Sequence, residues 1–126
     1  MTPQEVAAVL GPVRNTRQNR KDQLVEYRND GSRVQYSETE GVIEMSFAQP
    51  SRLMLGSTDL LSGHNQVAIL SSLDDQPMEY AGFLFFFKIG LAMTGFHDRQ
   101  KDQEAITVFK DGLWNNTKAK AKPYKP

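Results

Sequence analysis

The sequence predicts an α+β fold made of two similar units, each a helix followed by a three-stranded antiparallel meander, with the helices packed on one face of the sheet. Apolar residues recur at helical spacing in residues 3–11 and 65–74, and they alternate as in strands in residues 24–47 and 83–110. Turns that contain glycine separate the predicted strands. The hydrophobic fraction of 39% and the charged fraction of 24% are ordinary for a folded domain.

The first helix has a start signal and a stop signal. Thr2 is suited to the N-cap, Pro3 to the first helical position, and Glu5 completes a capping box. Gly11, followed by a proline, ends the helix. Residues 13–22 are polar and rich in arginine, and we expect a loop or a short helix there.

The first meander follows directly. Residues 24–28 and 33–37 are predicted strands, joined at 29–31 by an Asn-Asp-Gly turn with the chemistry of a hairpin. A second turn at 38–41 ends in glycine and leads to a third strand at 42–47. These strands are close in sequence, so we expect them to pair as neighbours.

The second unit repeats this order with almost no identity of side chain. A helix is predicted at 65–74, Pro77 closes it, and strands follow at 83–88, 91–96 and 105–110. An internal duplication and a chance repetition of the pattern both stay open.

The chain of 126 residues is expected to form a single domain over residues 1–115, with tandem units at 1–50 and 57–112. Residues 116–126 contain four lysines and no acidic residue. Such a composition predicts a basic, disordered tail.

Composition disfavours several classes of site. The chain has no cysteine, which excludes disulfides, thiolate nucleophiles and thiolate metal ligands. The start of the chain lacks a basic, apolar leader, and no apolar run is long enough to span a bilayer. We therefore expect a cytoplasmic protein with no membrane partner, and we predict no cofactor.

Candidate catalytic groups are few. The chain has two histidines, His64 and His97, the residue type most often used in acid–base catalysis. His97 and Asp98 are adjacent, and adjacent strand residues point to opposite faces, so a surface turn is favoured over an acid–base pair. The acidic pair at 74–75 is likewise read as a solvated turn rather than a cation site. We predict no catalytic residue, no metal ligand and no enzymatic activity.

Basic residues occur in two places, the arginine-rich segment 13–22 and the lysines of residues 116–126. Side chains of this kind neutralise phosphates in nucleic-acid complexes. The remainder of the chain is mildly acidic, which argues against a broad basic face. Nucleic acid is therefore disfavoured as a partner.

Residues 83–87 are five consecutive large apolar residues, Phe-Leu-Phe-Phe-Phe. A strand of this composition places apolar side chains on both faces, so we expect a central strand that is covered on both sides. The helices cover one face. The segment with Leu113 and Trp114, a second copy of the chain, or a partner protein covers the other.

The pairing of residues 3–11 with 24–47, and of 65–73 with 83–110, resembles the architecture of the beta-lactamase inhibitor protein family and of small outer-membrane-assembly lipoproteins. That resemblance implies a concave sheet able to grip another protein. The size and plain composition are also similar to those of bacterial toxin-neutralising immunity proteins. The chain is expected to depart from the inhibitor and lipoprotein families in lacking a signal peptide, a lipidation cysteine and any disulfide.

These observations favour a protein-binding module, an inhibitor or immunity-type protein whose acidic rim attracts a basic toxin or nuclease. Self-association as a homodimer stays open. The alternatives are a small-molecule-binding or enzymatic domain with a pocket between sheet and helices, and a structural component of a secretion or phage assembly. The predicted binding residues are Glu38, Glu40, Phe85, Phe87, His97, Asp98, Asp102, Glu104 and Trp114.

Overall fold

The computed structural model describes residues 1–125. None of the helices among these residues combines the length and the apolar character needed to cross a membrane. The helices and strands, in chain order, are α1 (Pro3–Leu10), β1 (Asn15–Arg20), β2 (Gln23–Tyr27), β3 (Ser32–Ser37), β4 (Gly41–Phe47), β5 (Met54–Leu55), β6 (Thr58–Asp59), α2 (Gln66–Ser71), β7 (Met78–Tyr80), β8 (Phe83–Phe86), β9 (Leu91–Thr94), a 3₁₀ turn (Lys101–Gln103), β10 (Ala105–Phe109), α3 (Asn115–Lys120) and β11 (Lys122–Pro123).

Nine of the strands form one antiparallel sheet in the order β1-β2-β3-β4-β10-β9-β8-β7-β11. Two runs of consecutive strands meet where β4 pairs with β10, with Phe47 opposite Ile106. The strands β5 and β6 form a separate hairpin. The prediction of an α+β fold with antiparallel strands is confirmed.

The predicted capping box of α1 is present. The Thr2 amide donates to Glu5 Oε1 at 3.0 Å, and the Glu5 amide donates to Thr2 Oγ1 at 3.2 Å. The hydrogen bonds from Thr2, first from its backbone, lower the pKa of the Glu5 carboxyl. One turn further along, Val6 is buried against Val34 and Tyr36 of β3, which attaches α1 to the sheet.

The helices α1 and α2 lie on the same face of the sheet. Leu70 of α2 packs into a cluster with Phe86 and Ile106, and Val6 of α1 packs into the neighbouring one. Met45 of β4 contacts both clusters, so the core under the two helices is continuous. We call this side of the sheet the helix face and the other side the open face.

The phenylalanine-rich strand is internal, as predicted, with β9 and β7 on either side. Leu84 and Phe86 point to the helix face, whereas Phe83 and Phe85 belong to a cluster on the open face. Trp114 packs against that cluster. Of the three coverings that the sequence left open, coverage by the chain's own C-terminal segment is therefore the one observed.

In the large sheet and the C-terminal segment, four elements differ from the sequence-based expectations. Residues 13–22 were expected as loop or short helix but contain β1, whose side chains are all exposed and so carry no apolar periodicity. The strand β7 extends the second run, and α3 and β11 lie in residues expected to be a disordered tail. Trp114 contacts Phe85 ahead of this segment, and β11 within it pairs with β7; Pro126, the last residue of the predicted tail, lies outside the described residues.

The division into two helix-then-three-stranded units is not confirmed. One sheet of nine strands runs through the described residues, and three helices accompany it. The expectation that the helices share one face holds for α1 and α2 only. The ammonium of Lys118 in α3 lies 5.6 Å from the centre of the Phe87 ring, on the open face.

The connection between β4 and α2 is organised by Asp59. Its Oδ1 accepts hydrogen bonds from the amides of Leu53, at 3.3 Å, and Leu61, at 3.1 Å. Its Oδ2 accepts from the Ser62 hydroxyl at 2.8 Å. The hydrogen bond from the Leu61 backbone is the main cause that lowers the pKa of Asp59. This arrangement holds Leu61 and its neighbour Leu60 in the core.

Replacing Asp59 with asparagine is expected to lower the free energy of unfolding near neutral pH by about 1 kcal/mol, because the Ser62 hydroxyl loses a charged acceptor. The folded-state pKa of Asp59 lies below its unfolded value, so the carboxylate stabilises the fold above about pH 3.9, the ordinary aspartate value. That stabilisation is lost as the pH falls through the lower folded-state pKa. Urea unfolding of both proteins across the acid range should show their difference shrinking.

The matched control is D22N, which changes an exposed aspartate in the turn between β1 and β2. This variant should follow the wild type at every pH. A D59N difference that stays constant with pH would show that the carboxylate charge at Asp59 plays no part.

Candidate functional site

The open face carries a cleft of about 460 Å³, which we call the open-face cleft. Its lining residues come from seven strands, β1, β2, β3, β4, β10, β9 and β8, and from the segment that starts α3. The cleft thus crosses the sheet from an exposed edge strand to the phenylalanine-rich strand. One wall is polar and the other is aromatic.

The polar wall is held in place by its own contacts. Arg33 Nη2 donates to Glu44 Oε1 at 2.6 Å, and Gln35 Nε2 donates to Gln23 Oε1 at 2.9 Å. The Glu44 side chain is 8% exposed and that of Arg33 is 34% exposed, so the ion pair forms the floor with its cation towards solvent. These links keep the polar groups fixed before any ligand arrives, which reduces the entropy lost on binding. Asn19 and Arg20 of β1 complete the polar wall.

The aromatic wall is centred on Phe85. The Phe85 ring centre lies 4.9 Å from that of Phe87, 5.6 Å from that of Phe83, 6.3 Å from that of Phe109 and 5.9 Å from that of Trp114. These separations are in the range of favourable aromatic pairs. Trp114 Nε1 is buried and has no hydrogen-bond partner among residues 1–125. The wall is rigid because each ring is supported by another.

Comparisons with known proteins give the chain no family. No family model matches it, and neither does any curated protein or any solved structure. The resemblance to the beta-lactamase inhibitor protein family therefore stays a prediction. The function has to be argued from the open-face cleft itself.

The structure brings three of the predicted binding residues together. Phe85 and Trp114 line the open-face cleft, and Phe87 stacks on Phe85. Phe85 is only 1% exposed, so it supports the wall and offers little surface to a ligand. Trp114 and Phe83, a residue not predicted for the site, are the partly exposed aromatic residues that line the cleft, whereas Phe87 is partly exposed but does not line it.

The predicted acidic residues do not form one rim. Glu38 and Glu40 lie in the turn before β4, where Glu40 pairs with Lys110. Asp98, Asp102 and Glu104 lie in the connection between β9 and β10. Since β10 runs antiparallel to β4, that connection is at the opposite end of the strands from the turn. The two acidic groups are thus at opposite ends of the sheet.

Glu38 and Glu40 line a second cleft, of about 560 Å³, beside the start of α1. Glu5 and Asp22 also contribute to it. This acidic cleft is separate from the open-face cleft, with which it shares no lining residue.

His97 packs edge-on against Tyr124, with ring centres 5.8 Å apart. Its Nδ1 atom is buried without a hydrogen-bond partner in the described part of the chain. The Asp98 carboxylate instead accepts from the Gln100 amide at 3.4 Å. The two neighbours therefore do not form an imidazole–carboxylate pair. Among residues 1–125, no cluster of three or more acidic or histidine side chains is arranged to hold a metal ion.

Sequence reasoning missed the polar wall. Arg33 and Gln35 alternate in β3 with the buried Val34 and Tyr36, which is the usual pattern of a strand with one solvated face. That alternation could have placed both polar residues on an open face. It could not have shown that Glu44 lies beside Arg33, because their contact depends on the register of β3 and β4.

Proposed function

We propose that the chain is a protein-binding module of the inhibitor or immunity type, which grips its partner in the open-face cleft. The observation that carries this proposal is the asymmetry of the sheet. The helices α1 and α2 pack on the helix face, and the C-terminal segment covers the phenylalanine cluster, but the polar half of the open face has no covering element among the described residues.

The residue types in the open-face cleft support a protein partner. Tryptophan and arginine are enriched at the energetic centres of protein interfaces, where they combine apolar area with directed hydrogen bonds. The cleft offers Trp114 on one wall and Arg20 and Arg33 on the other. Because Gln23 and Gln35 are already linked to each other, little side-chain freedom remains to be lost on binding.

The resemblance to inhibitor folds also favours a protein partner by analogy, since those folds use a broad antiparallel sheet to hold another protein. The meeting of two strand runs at β4 and β10 provides such a sheet here. We include in this proposal the predicted division of the chain into two helix-and-meander units.

A small-molecule ligand is the second candidate, and the volume of the cleft favours it. Ligand pockets typically measure about 300–1,000 Å³, and the open-face cleft measures about 460 Å³. The cleft lies between the sheet and the C-terminal segment rather than under α1 and α2. The enzymatic form of this candidate called for His97 within hydrogen-bond reach of a carboxylate, an arrangement not found among residues 1–125.

Site-directed photo-crosslinking tests the proposed function. A benzoylphenylalanine placed at Asn19 or at Asn116 sits at either end of the open-face cleft, and the same group at Ser72, the C-cap of α2, gives a matched exposed control. In extracts of the source cells, Asn19 and Asn116 should crosslink to the same protein, and Ser72 should not. The purified partner should lose its activity in proportion to added protein.

Equal crosslinking from Ser72, or none from either cleft position, would contradict the proposal. A crosslinked product at twice the mass of the chain would show that the partner is a second copy of the chain and not another protein. The Trp114 fluorescence can also be measured after adding either the low-molecular-mass fraction of the extract or its proteins. A change with the low-molecular-mass fraction alone would favour the small-molecule candidate.

A further inference from the structure

The polar half of the open face carries three arginines on one side of the sheet. Arg17 of β1 pairs with Val25, and Val25 pairs with Gln35 of β3. Paired residues of antiparallel strands project to the same face, and Arg33 is two residues from Gln35 on the same strand. Arg20 lines the open-face cleft together with Arg33. We call Arg17, Arg20 and Arg33 the arginine patch.

Most of the charge of the arginine patch is not neutralised within residues 1–125. Four ion pairs form in this part of the chain, and only the pair of Arg33 with Glu44 involves the patch. Glu44 is also the only acidic residue that lines the open-face cleft. Arg17 makes one weak contact, with Asn19 Oδ1 at 3.5 Å. The open face is therefore positively charged, although the whole chain has a formal net charge of zero.

We infer that the open-face cleft binds an extended acidic segment of the partner protein, an inference that rests on the proposed function and adds the chemistry of the partner. Its carboxylates lie against the arginine patch, where planar guanidinium groups donate bidentate hydrogen bonds to them. The Gln23 and Gln35 amides are placed to hydrogen-bond its backbone. An apolar side chain of the segment packs on Trp114.

The charge inside the cleft favours a peptide over a nucleic acid. The charged residues that line the cleft are Arg20, Arg33 and Glu44, which together leave a net charge of one positive unit. A nucleic acid brings one phosphate with every nucleotide, and its affinity depends on neutralising many of them. An acidic segment brings carboxylates at intervals, separated by side chains that suit the amides and the aromatic wall.

The length of the segment follows from the sheet. Six strand spacings separate β1 from β8, which amounts to at most about 29 Å, and an extended chain of about nine residues covers that distance. A rhodamine-labelled peptide of repeated Glu-Ser pairs ending in Phe is a suitable probe. Peptides with Gln or Lys in place of Glu serve as neutral and basic controls.

The full-length protein should bind the acidic peptide, as measured by fluorescence anisotropy, and should bind the neutral and basic peptides at least about tenfold more weakly. The chain has a single tryptophan, and Trp114 lines the cleft. An unlabelled acidic peptide should therefore change the Trp114 emission at the same concentrations. Raising the ionic strength from about 0.05 to about 0.5 M should weaken binding, since exposed charges are screened.

The variant R17Q/R20Q should weaken binding of the acidic peptide about tenfold, which corresponds to about 0.7 kcal/mol for each exposed contact. The control R14Q/R52Q removes the same charge from two exposed arginines outside the arginine patch. This control should bind as the wild type does. Equal loss in the two variants would overturn the inference, because it would show general attraction by net charge.

Other outcomes also overturn it. The acidic cleft at the start of α1 is suited to a basic peptide. Tighter binding of the basic peptide than of the acidic one would therefore assign the partner the opposite charge. An oligothymidylate of similar length that bound more tightly than the acidic peptide, and was lost in R17Q/R20Q, would replace the peptide with a nucleic acid. Crosslinking from Asn19 and Asn116 that persists undiminished in R17Q/R20Q would leave the binding module standing and remove only the acidic segment.

Discussion

Replacing Phe85 with alanine is expected to lower the free energy of unfolding by about 3–5 kcal/mol, the usual effect of truncating a buried phenylalanine. Phe85 is 1% exposed and its ring lies within 6.3 Å, centre to centre, of Phe83, Phe87, Phe109 and Trp114. Truncation removes the common partner of all these rings and leaves a cavity under Trp114. Because a small domain is stable by only about 5–15 kcal/mol in total, the loss is a large fraction.

Urea unfolding, followed by circular dichroism and by Trp114 emission, measures this effect. The variant F87A is the matched control, since Phe87 is only partly buried and stacks on one side of Phe85. It should lose clearly less stability than F85A. If F87A and F85A were equally destabilised, Phe85 would not be the centre of the cluster. If F85A bound the partner more weakly while keeping its stability, Phe85 would contact the partner directly.

Replacing Glu26 with glutamine is expected to lower the free energy of unfolding by a similar amount, about 3–5 kcal/mol, because it leaves a buried cation without its counter-ion. Arg28 Nη2 donates to Glu26 Oε1 at 3.3 Å, and Arg28 Nε donates to the Gly11 carbonyl at the end of α1. Tyr36 donates to the same Glu26 oxygen at 2.6 Å. Burial, and then the hydrogen bond to Glu26, raises the pKa of Tyr36.

Two further variants test this reading of the buried pair. E26Q/R28M removes the stranded charge as well, so it should be more stable than E26Q alone, as seen when buried ion pairs are replaced by apolar groups. E44Q should lose less than E26Q, because Arg33 reaches solvent whereas the Arg28 side chain is 1% exposed. Chemical unfolding of the wild type, E26Q, E26Q/R28M and E44Q measures these differences in stability. A double variant no more stable than E26Q would contradict the interpretation that E26Q strands a buried charge.

The predictions that held depend on short stretches of sequence. The capping box of α1 involves residues three apart, and its hydrogen bonds form wherever the helix forms. The strands around the Asn-Asp-Gly turn pair with their neighbours in sequence, so alternation and turn chemistry were enough to find them. The prediction failed for β1, because an edge strand with every side chain exposed carries no apolar pattern.

The candidate site was likewise predictable only where it depends on a short stretch of sequence. The aromatic wall was predictable in part, because consecutive phenylalanines must place side chains on both faces of a strand and the second face needs a cover. The polar wall was not, since Arg20, Arg33 and Glu44 come from strands that meet only through sheet register. The acidic rim failed as a single surface for the same reason. Its two groups were assigned to one binding surface but lie at opposite ends of the sheet, because β10 runs antiparallel to β4.

The sequence by itself determined the α+β class, the start and end of α1, the places of the main strands, and the need to bury the phenylalanine-rich strand on both faces. These follow from periodicity, capping and turn chemistry, which act over a few residues. Only the tertiary structure decided that Trp114 provides the second cover, that three arginines share the open face, and that the acidic residues lie apart. Those facts depend on which distant strands pair and on the face to which each side chain then points, and neither is encoded in a local pattern.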